Sequence, residues 1–338
     1  MVRVVRATQV EIETAVQALR DGELVAFPTE TVYGLGANAQ NPAAVRKIFE
    51  AKGRPTTHPV IVHLDSQRYL HRWVSEVPEL ALRLAERFWP GPLTMVMPRA
   101  ANVHEVVTGG QDTVAVRVPS HPMAQQLLTA FGGGIAAPSA NRYGKLSPTR
   151  AEHVREELGE TVKVILDGGE CQIGLESTIV SFEDSSVRLL RPGAVTAAQI
   201  RQVAGELLMG AGRAAPRVPG GTPSHYAPTT PMTIVPAGEI DAHAAAQSEG
   251  GRRVAVLAQR LPLRAHKYVT WINAGRRPEQ YGHDLYANLR TLDKAGCQRI
   301  LVQDVPEGEP WDAIRDRLLR AASGVSEGDD TGAMAVLP

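Results

Sequence analysis

The chain lacks most of the features that announce a function class at a glance. It has two cysteines in 338 residues, Cys171 and Cys297. They lie far apart and in no metal-like spacing, so neither a disulfide framework nor a zinc cluster is expected. Aromatic residues are only 5%, few for a surface that stacks single-stranded nucleic acid. Lys plus Arg and Asp plus Glu are both 36. No net field therefore draws the whole chain to DNA or an anionic membrane, although a local basic groove stays open. There is no long charge-free apolar run, and the opening MVRVVRATQVEIETAV lacks a continuous apolar segment. A soluble protein of a reducing compartment, the cytoplasm, is expected. A Walker A loop and an HExxH motif are missing. Residues 210–215, GAGRAA, spell a dinucleotide-binding pattern but follow a helical stretch rather than a strand.

What is present alternates strand and helix signals. The length exceeds what one hydrophobic core usually serves, so two domains are expected. Thr8 and Glu11 read as a capping box. Glu23 to Pro28 reads as a buried strand and Thr29 to Asn38 as a glycine-containing turn. Asn41-Pro42 opens a helix that Gly53 stops. Thr149 with Glu152 suggests a further capping box, Asp184-Ser185 a hairpin turn, and Thr196 to Leu208 a helix closing the first unit, residues 1–208. Residues 209–231 are rich in Gly, Pro, Ala and Thr, contain no carboxylate, and read as an irregular linker. Residues 232–338 alternate four strands with three helices, which predicts a smaller parallel, three-layer α/β domain.

Three clusters could carry chemistry. Lys52 and Arg54 flank Gly53 where a helix ends; a point charge beside a planar fork suits polyphosphate, and helix capping is the plainer alternative. Ser139 and Asn141 in PSAN follow the short apolar strand IAA, at the strand end where α/β sheets collect ligands; Ser and Asn turns are the alternative. PTETVYGLG, residues 28–36, crowds hydroxyls and one carboxylate behind a buried strand. Thr113 and Arg117 are four apart on one strand and share a face; a buried Arg117 there needs an anionic partner. Glu176-Ser177-Thr178 and Arg191-Pro192-Gly193 mark two further strand ends, and Ser147-Pro148-Thr149 is a helix start or an anion contact. His63 ends a strand and reads more readily as structural than as a base.

In order and spacing, PTETVYGLG, KGRP with VIVHL, TVAVRVP, APSAN, EST and LRPG resemble the YrdC-type threonylcarbamoyl-AMP synthases. The SHYAP linker and the C-terminal α/β segment are similar to the family's long, two-domain form. The resemblance implies a twisted open mixed sheet, with helices around a concave basic cavity, and a Rossmann-like C-terminal domain. It implies that L-threonine, bicarbonate or CO2, and ATP give L-threonylcarbamoyl-adenylate and pyrophosphate. Mg2+ would accompany ATP, and a separate transferase would pass the group to adenosine 37 of tRNAs reading codons that start with A. Carried over by position, Lys52, Arg54, His58, Thr113, Ser139, Asn141, Ser147, Arg191 and Tyr226 face the nucleotide. Thr31, His63, Arg117, Ala137 and Ser177 face threonine or its carbamoyl group. Lys52 and Arg54 take the catalytic role, and no residue is assigned to a metal. His58 stands where many relatives have Asn. Tyr226 turns the linker from a tether into a lid.

Two other readings compete. A non-enzymatic RNA-binding protein could use the same basic cavity for phosphate backbone. A carbamoyl-transferring enzyme of hydrogenase maturation contains a similar domain, but it would need zinc-finger-like and acylphosphatase-like regions that this sequence lacks.

Overall fold

The computed structural model describes residues 8–183, 185–210, 215–220 and 226–323. Its first part runs α1 (Gln9–Arg20), β1 (Val25–Phe27), β2 (Gly34–Asn38), α2 (Pro42–Lys52), β3 (Ile61–His63), α3 (Glu79–Phe88), β4 (Leu93–Pro98), α4 (Glu105–Thr108), β5 (Thr113–Arg117), α5 (Pro122–Phe131), β6 (Ile135–Ala136), α6 (Ala151–Leu158), β7 (Val164–Ile165), β8 (Thr178–Glu183), β9 (Ser186–Arg191), α7 (Ala197–Ala204) and β10 (Leu207–Met209). The second part runs β11 (Met232–Val235), α8 (Ile240–Ser248), β12 (Val254–Ala258), β13 (Val269–Asn273), α9 (Pro278–Asp293), β14 (Arg299–Gln303) and α10 (Glu309–Ala322).

The first sheet is open and mixed, in the order β10-β9-β8-β4-β5-β3-β6-β2-β1-β7. Its centre puts β3 parallel to β5 with His63 opposite Arg117, and antiparallel to β6 with His63 opposite Ile135. Because β6 runs antiparallel to β3 and to β2, three turns meet at one place: those after β1 and after β6, and the one that joins α2 to β3. Ile48 of α2, Leu84 of α3, Val154 of α6 and Ile200 of α7 share one apolar cluster. Leu19 of α1 and Leu127 of α5 pack with Phe27 and Ile135 in another. The second sheet is parallel, in the order β11-β14-β12-β13. Along β14, Ile300 and Val302 join the α9–α10 core while Leu301 joins the α8 core. That alternation gives two buried faces and three layers.

Local signals explain most elements. Thr8 and Glu11 form a reciprocal capping box. Asn41 accepts from Ala43 and Ala44, Pro42 opens α2, and Gly53 ends it at φ 62° in the left-handed region. Four expectations need correction. Half of the predicted turn at 29–38 is strand β2, antiparallel to β1. There Gly36 is indispensable, because a Cβ would stand 2.8 Å from both Phe27 and Ile135. Thr149 does not cap α6: Arg150 holds the N-cap position, and the Thr149 amide donates to His153 Nδ1 at 3.2 Å. The predicted helix to Leu208 ends at Ala204, since Gly205 takes φ 78°. Leu207–Met209 then pairs with β9, so the drawn boundary at 208 falls inside a strand. Helix α9 begins at Pro278, five residues before the expected His283, with proline in its first turn. Asp184 of the hairpin turn, 211–214 of the GAGRAA stretch, and Ser224 and His225 of SHYAP lie outside the described residues. No helix among the described residues is long and apolar enough to cross a membrane.

Candidate active site

A pocket opens where those three turns meet. One wall is cationic. Lys52, the last residue of α2, is 4% exposed, and its Nζ donates to the carbonyls of Ser139 (2.6 Å) and Asn141. Arg54 turns inward just past Gly53, and its Nη2 donates to the Pro59 carbonyl at 2.8 Å. Arg191, ending β9, donates to the Ser177 carbonyl (2.8 Å), the Ser177 hydroxyl (3.2 Å) and the Pro219 carbonyl (2.9 Å). Among the described residues, none of the three has a carboxylate partner. Burial, then the neighbouring Arg54, pulls the Lys52 ammonium well below its ordinary range. Burial lowers Arg54 to about 10, with Arg191 adding to the fall. Such a cluster is costly in the free protein, and an anion relieves the cost on binding.

The other wall is neutralised. Arg117 sits 2.7 Å from Glu30, with both side chains almost wholly buried. It also donates to the Thr31 hydroxyl at 2.9 Å. Glu30 is the anionic partner that burial of Arg117 demands, and the PTET turn supplies it. Thr31 further shares a 2.8 Å bond with Thr29, so the turn is tied to itself and to β5. His63 packs edge-on against Phe27, and its Nδ1 is buried without a partner. Burial, then Arg117, lowers its imidazole to about 3, so it is neutral at pH 7 and a weak base.

Ten of the fourteen residues predicted for the site line this pocket: Thr31, Lys52, Arg54, His63, Arg117, Ala137, Ser139, Ser177, Arg191 and Tyr226. Four do not line it. His58 lies beside the Tyr143 ring, 5.5 Å between centroids. Thr113 stands at the far end of β5 from Arg117. Asn141 is buried, donates to the carbonyls of Arg142 and Lys145, and keeps Oδ1 unpaired. Ser147 donates to Glu176 at 2.5 Å. The linker residues Pro219 and Gly220 line the pocket beside Tyr226. Tyr226 is 1% exposed and has φ 61°, a left-handed conformation that a tyrosine keeps only under firm packing. Sequence reasoning named Glu176 only as a neighbour of Ser177. It is a buried carboxylate that itself lines the pocket, and its signal was its position directly before a strand.

A protein-held metal does not fit this pocket. Glu176, which lines it, and Glu30, which pairs with Arg117, are each engaged by an arginine, and the described residues contain no cluster of three or more His, Cys, Asp or Glu suited to a metal.

Comparison with known proteins gives two family models, which meet just before α7. A family model of the Sua5–YciO–YrdC group, described as "Telomere recombination", matches residues 17–193. A second model, described as "Threonylcarbamoyl-AMP synthase, C-terminal domain", matches residues 195–323. A threonylcarbamoyl-AMP synthase of Bacillus subtilis is 42% identical over 325 residues, 93% of either chain. The crystal structure of Pyrococcus abyssi Sua5 complexed with L-threonine superposes with a TM-score of 0.87 at 40% identity, covering 95% of this chain and 96% of that one. Escherichia coli YciO, at 24% identity and a TM-score of 0.50, covers 56% of this chain and shares the fold of the first domain's class.

Proposed function

We propose a function from one premise: this chain belongs to the Sua5–YciO–YrdC family and is an enzyme of its threonylcarbamoyl-AMP synthase kind. The reaction we assign joins L-threonine, bicarbonate or CO2, and ATP into L-threonylcarbamoyl-adenylate. The threonine amine adds to the carbon source with loss of water from bicarbonate, giving N-carboxy-threonine. A carboxylate oxygen of that carbamate forms a bond to the α-phosphorus of ATP as the bond to the β-phosphate oxygen breaks. Pyrophosphate leaves with the electron pair. The single observation that carries this reading is the contrast of walls. Three buried cations without a carboxylate partner among the described residues, Lys52, Arg54 and Arg191, face a wall whose arginine is already neutralised.

Each group then has a task. Lys52 and Arg54 stabilise the charge that develops on the phosphoryl oxygens, and Arg191 that on the departing pyrophosphate. Their present hydrogen bonds go to carbonyl oxygens and, from Arg191, also to the Ser177 hydroxyl, so an anion displaces them without breaking an ion pair. Arg117 and Thr31 hold the amino-acid end, with Ser177 and Ala137 beside them. Threonine is supported as the substrate by the threonine complex of the Pyrococcus abyssi relative. The nucleophile belongs to the substrate, so positioning and electrostatics suffice. Mg2+ bound to the nucleotide would supply screening of the triphosphate charge. Tyr226 and Pro219 act as the lid. Asn141, Ser147, Thr113 and His58 serve the nucleotide from outside the lining, Asn141 and Ser147 by shaping the turns under it. The adenylate passes to a transferase that modifies adenosine 37 of tRNAs reading codons that start with A. Two free cysteines support a cytoplasmic location.

Incubation with ATP, Mg2+, bicarbonate and L-threonine should release pyrophosphate and yield an adenylate of matching mass. Equal release without threonine or without bicarbonate would sink the reading. The RNA-binding alternative loses ground because the three cations are at most 7% exposed; a phosphate backbone needs cations it can reach. RNA affinity with a steep salt dependence and no pyrophosphate release would restore it.

A further inference from the structure

The segment Ile173–Ser177 is held from both domains. The Ile173 and Gly174 amides donate to the carbonyls of Glu30 (2.8 Å) and Thr31 (3.1 Å), in the turn of the neutralised wall. On the other side it lies against α9. A Cβ on Gly174 would stand 2.3 Å from the His283 carbonyl oxygen, and one on Gly282 would stand 3.1 Å from Leu175. Leu175, Val32 and Tyr226 belong to the same apolar cluster as Leu285 and Ile314, so the second domain's core continues under the pocket.

Glu176 lies in this segment, and its partners come mostly from the second domain. Tyr286 of α9 donates to both carboxylate oxygens, at 3.1 and 3.0 Å, and Arg317 of α10 donates through Nε at 2.9 Å. Arg317 is 1% exposed, and its Nη1 also donates to the carbonyl of Pro192, the residue after Arg191. Its guanidinium stands 5.3 Å from the centre of the Tyr226 ring, and that ring is 5.9 Å from the Tyr286 ring. A buried carboxylate without a partner either takes a proton or moves to another cation. The next cation is Arg191, which already feels the charge of Glu176.

We propose that Arg317 and Tyr286 are positioning residues of the reaction: they hold Glu176 away from Arg191 and support Tyr226, so that Arg191 stays available to the triphosphate. The second domain thereby completes the nucleotide side of the pocket without touching substrate. This rests on the reading of the pocket as an ATP and threonine site. Its mark is selective, because the threonine side is tied by Glu30 and Arg117 within the first domain.

The test uses the full chain and the variants Arg317→Met, Arg317→Lys and Tyr286→Phe. Affinity for a non-hydrolysable ATP analogue is measured by calorimetry, and KM for ATP and for threonine by pyrophosphate release. Arg317→Met should weaken analogue binding and raise KM for ATP by about tenfold, the scale of one lost hydrogen bond to a charged group. KM for threonine should stay within about twofold, since its wall is separately tied, and Arg317→Lys should recover part of the loss. Tyr286→Phe keeps the ring and the fold, and should raise KM for ATP in the same direction; it decides the matter if Arg317→Met does not fold. Unchanged analogue binding in a folded Arg317→Met, or equal rises in both KM values, overturns the proposal. Failure of the parent protein to bind the analogue overturns instead the reading of the pocket.

Discussion

The two walls of the pocket treat buried arginine and lysine in opposite ways. On one wall Arg117 has Glu30 at 2.7 Å and loses little by being buried. On the other, Lys52, Arg54 and Arg191 direct their hydrogen bonds to backbone carbonyls and, from Arg191, also to the Ser177 hydroxyl, with no carboxylate partner among the described residues. A paired cation is fixed and contributes order. An unpaired one is a standing cost that a polyanion removes, so it contributes affinity and charge stabilisation at the moment of reaction. The fold invests its stability in one wall and its chemistry in the other.

Breaking the paired wall should produce the largest effect on stability. Glu30→Ala strands a buried guanidinium and strips the Ser120 amide of its acceptor. Chemical denaturation should reveal a loss of about 3–5 kcal/mol, the usual cost of removing one partner from a buried pair. A loss below about 1 kcal/mol, the worth of an exposed pair, would mean that the two walls are not distinct. The cationic wall should answer in the opposite currency. Lys52→Met and Arg54→Met should each lower turnover by about a hundredfold to a thousandfold, as removal of a transition-state donor does. Their unfolding free energy should stay within about 1 kcal/mol of the parent, because only bonds to carbonyls are lost. A variant that keeps the parent rate leaves the site; one that unfolds shows that its cation was structural.

The sequence already carried much of the first wall's chemistry and little of the second domain's part in it. Lys52 and Arg54 were legible because Gly53 breaks the helix between them, and a left-handed glycine forces the two side chains apart from a common helix face. Arg117 was legible as a buried cation in need of an anion, because strand periodicity fixes its face. Its partner was not, since Glu30 is 87 residues away in sequence and no local pattern links them. Arg317 was invisible for the same reason: it reads as one of several arginines on an amphipathic helix until the packing of α10 brings it to Glu176, 141 residues distant. The short strand β2 was missed because GLGAN spells a turn; only the crowding of Phe27 and Ile135 explains its glycine. Local chemistry is written in spacing, whereas ion pairing across elements is written in topology.

His63 supplies the smallest and most specific test of the comparison. It lies opposite Arg117 on the paired wall and is neutral there, its imidazole lowered to about 3 by burial and then by Arg117. In the unfolded chain the ring regains an ordinary value near 6.5. Above that pH neither state carries the proton, so His63 has no effect on the pH dependence. As pH falls below it, the unfolded state takes up a proton that the folded state refuses, and stability declines until pH reaches about 3. Between pH 7 and pH 5 this amounts to about 2 kcal/mol at most, at roughly 1.4 kcal/mol per pH unit. His63→Asn should flatten that part of the stability curve, read as the urea midpoint at the two pH values. The same variant should leave no missing ionisation in the pH profile of turnover between pH 5 and 8, because the parent ring does not titrate there. A parent profile whose acid limb near pH 6.5 disappears in His63→Asn would make the ring a working base, and the neutral wall would then have a share in the chemistry.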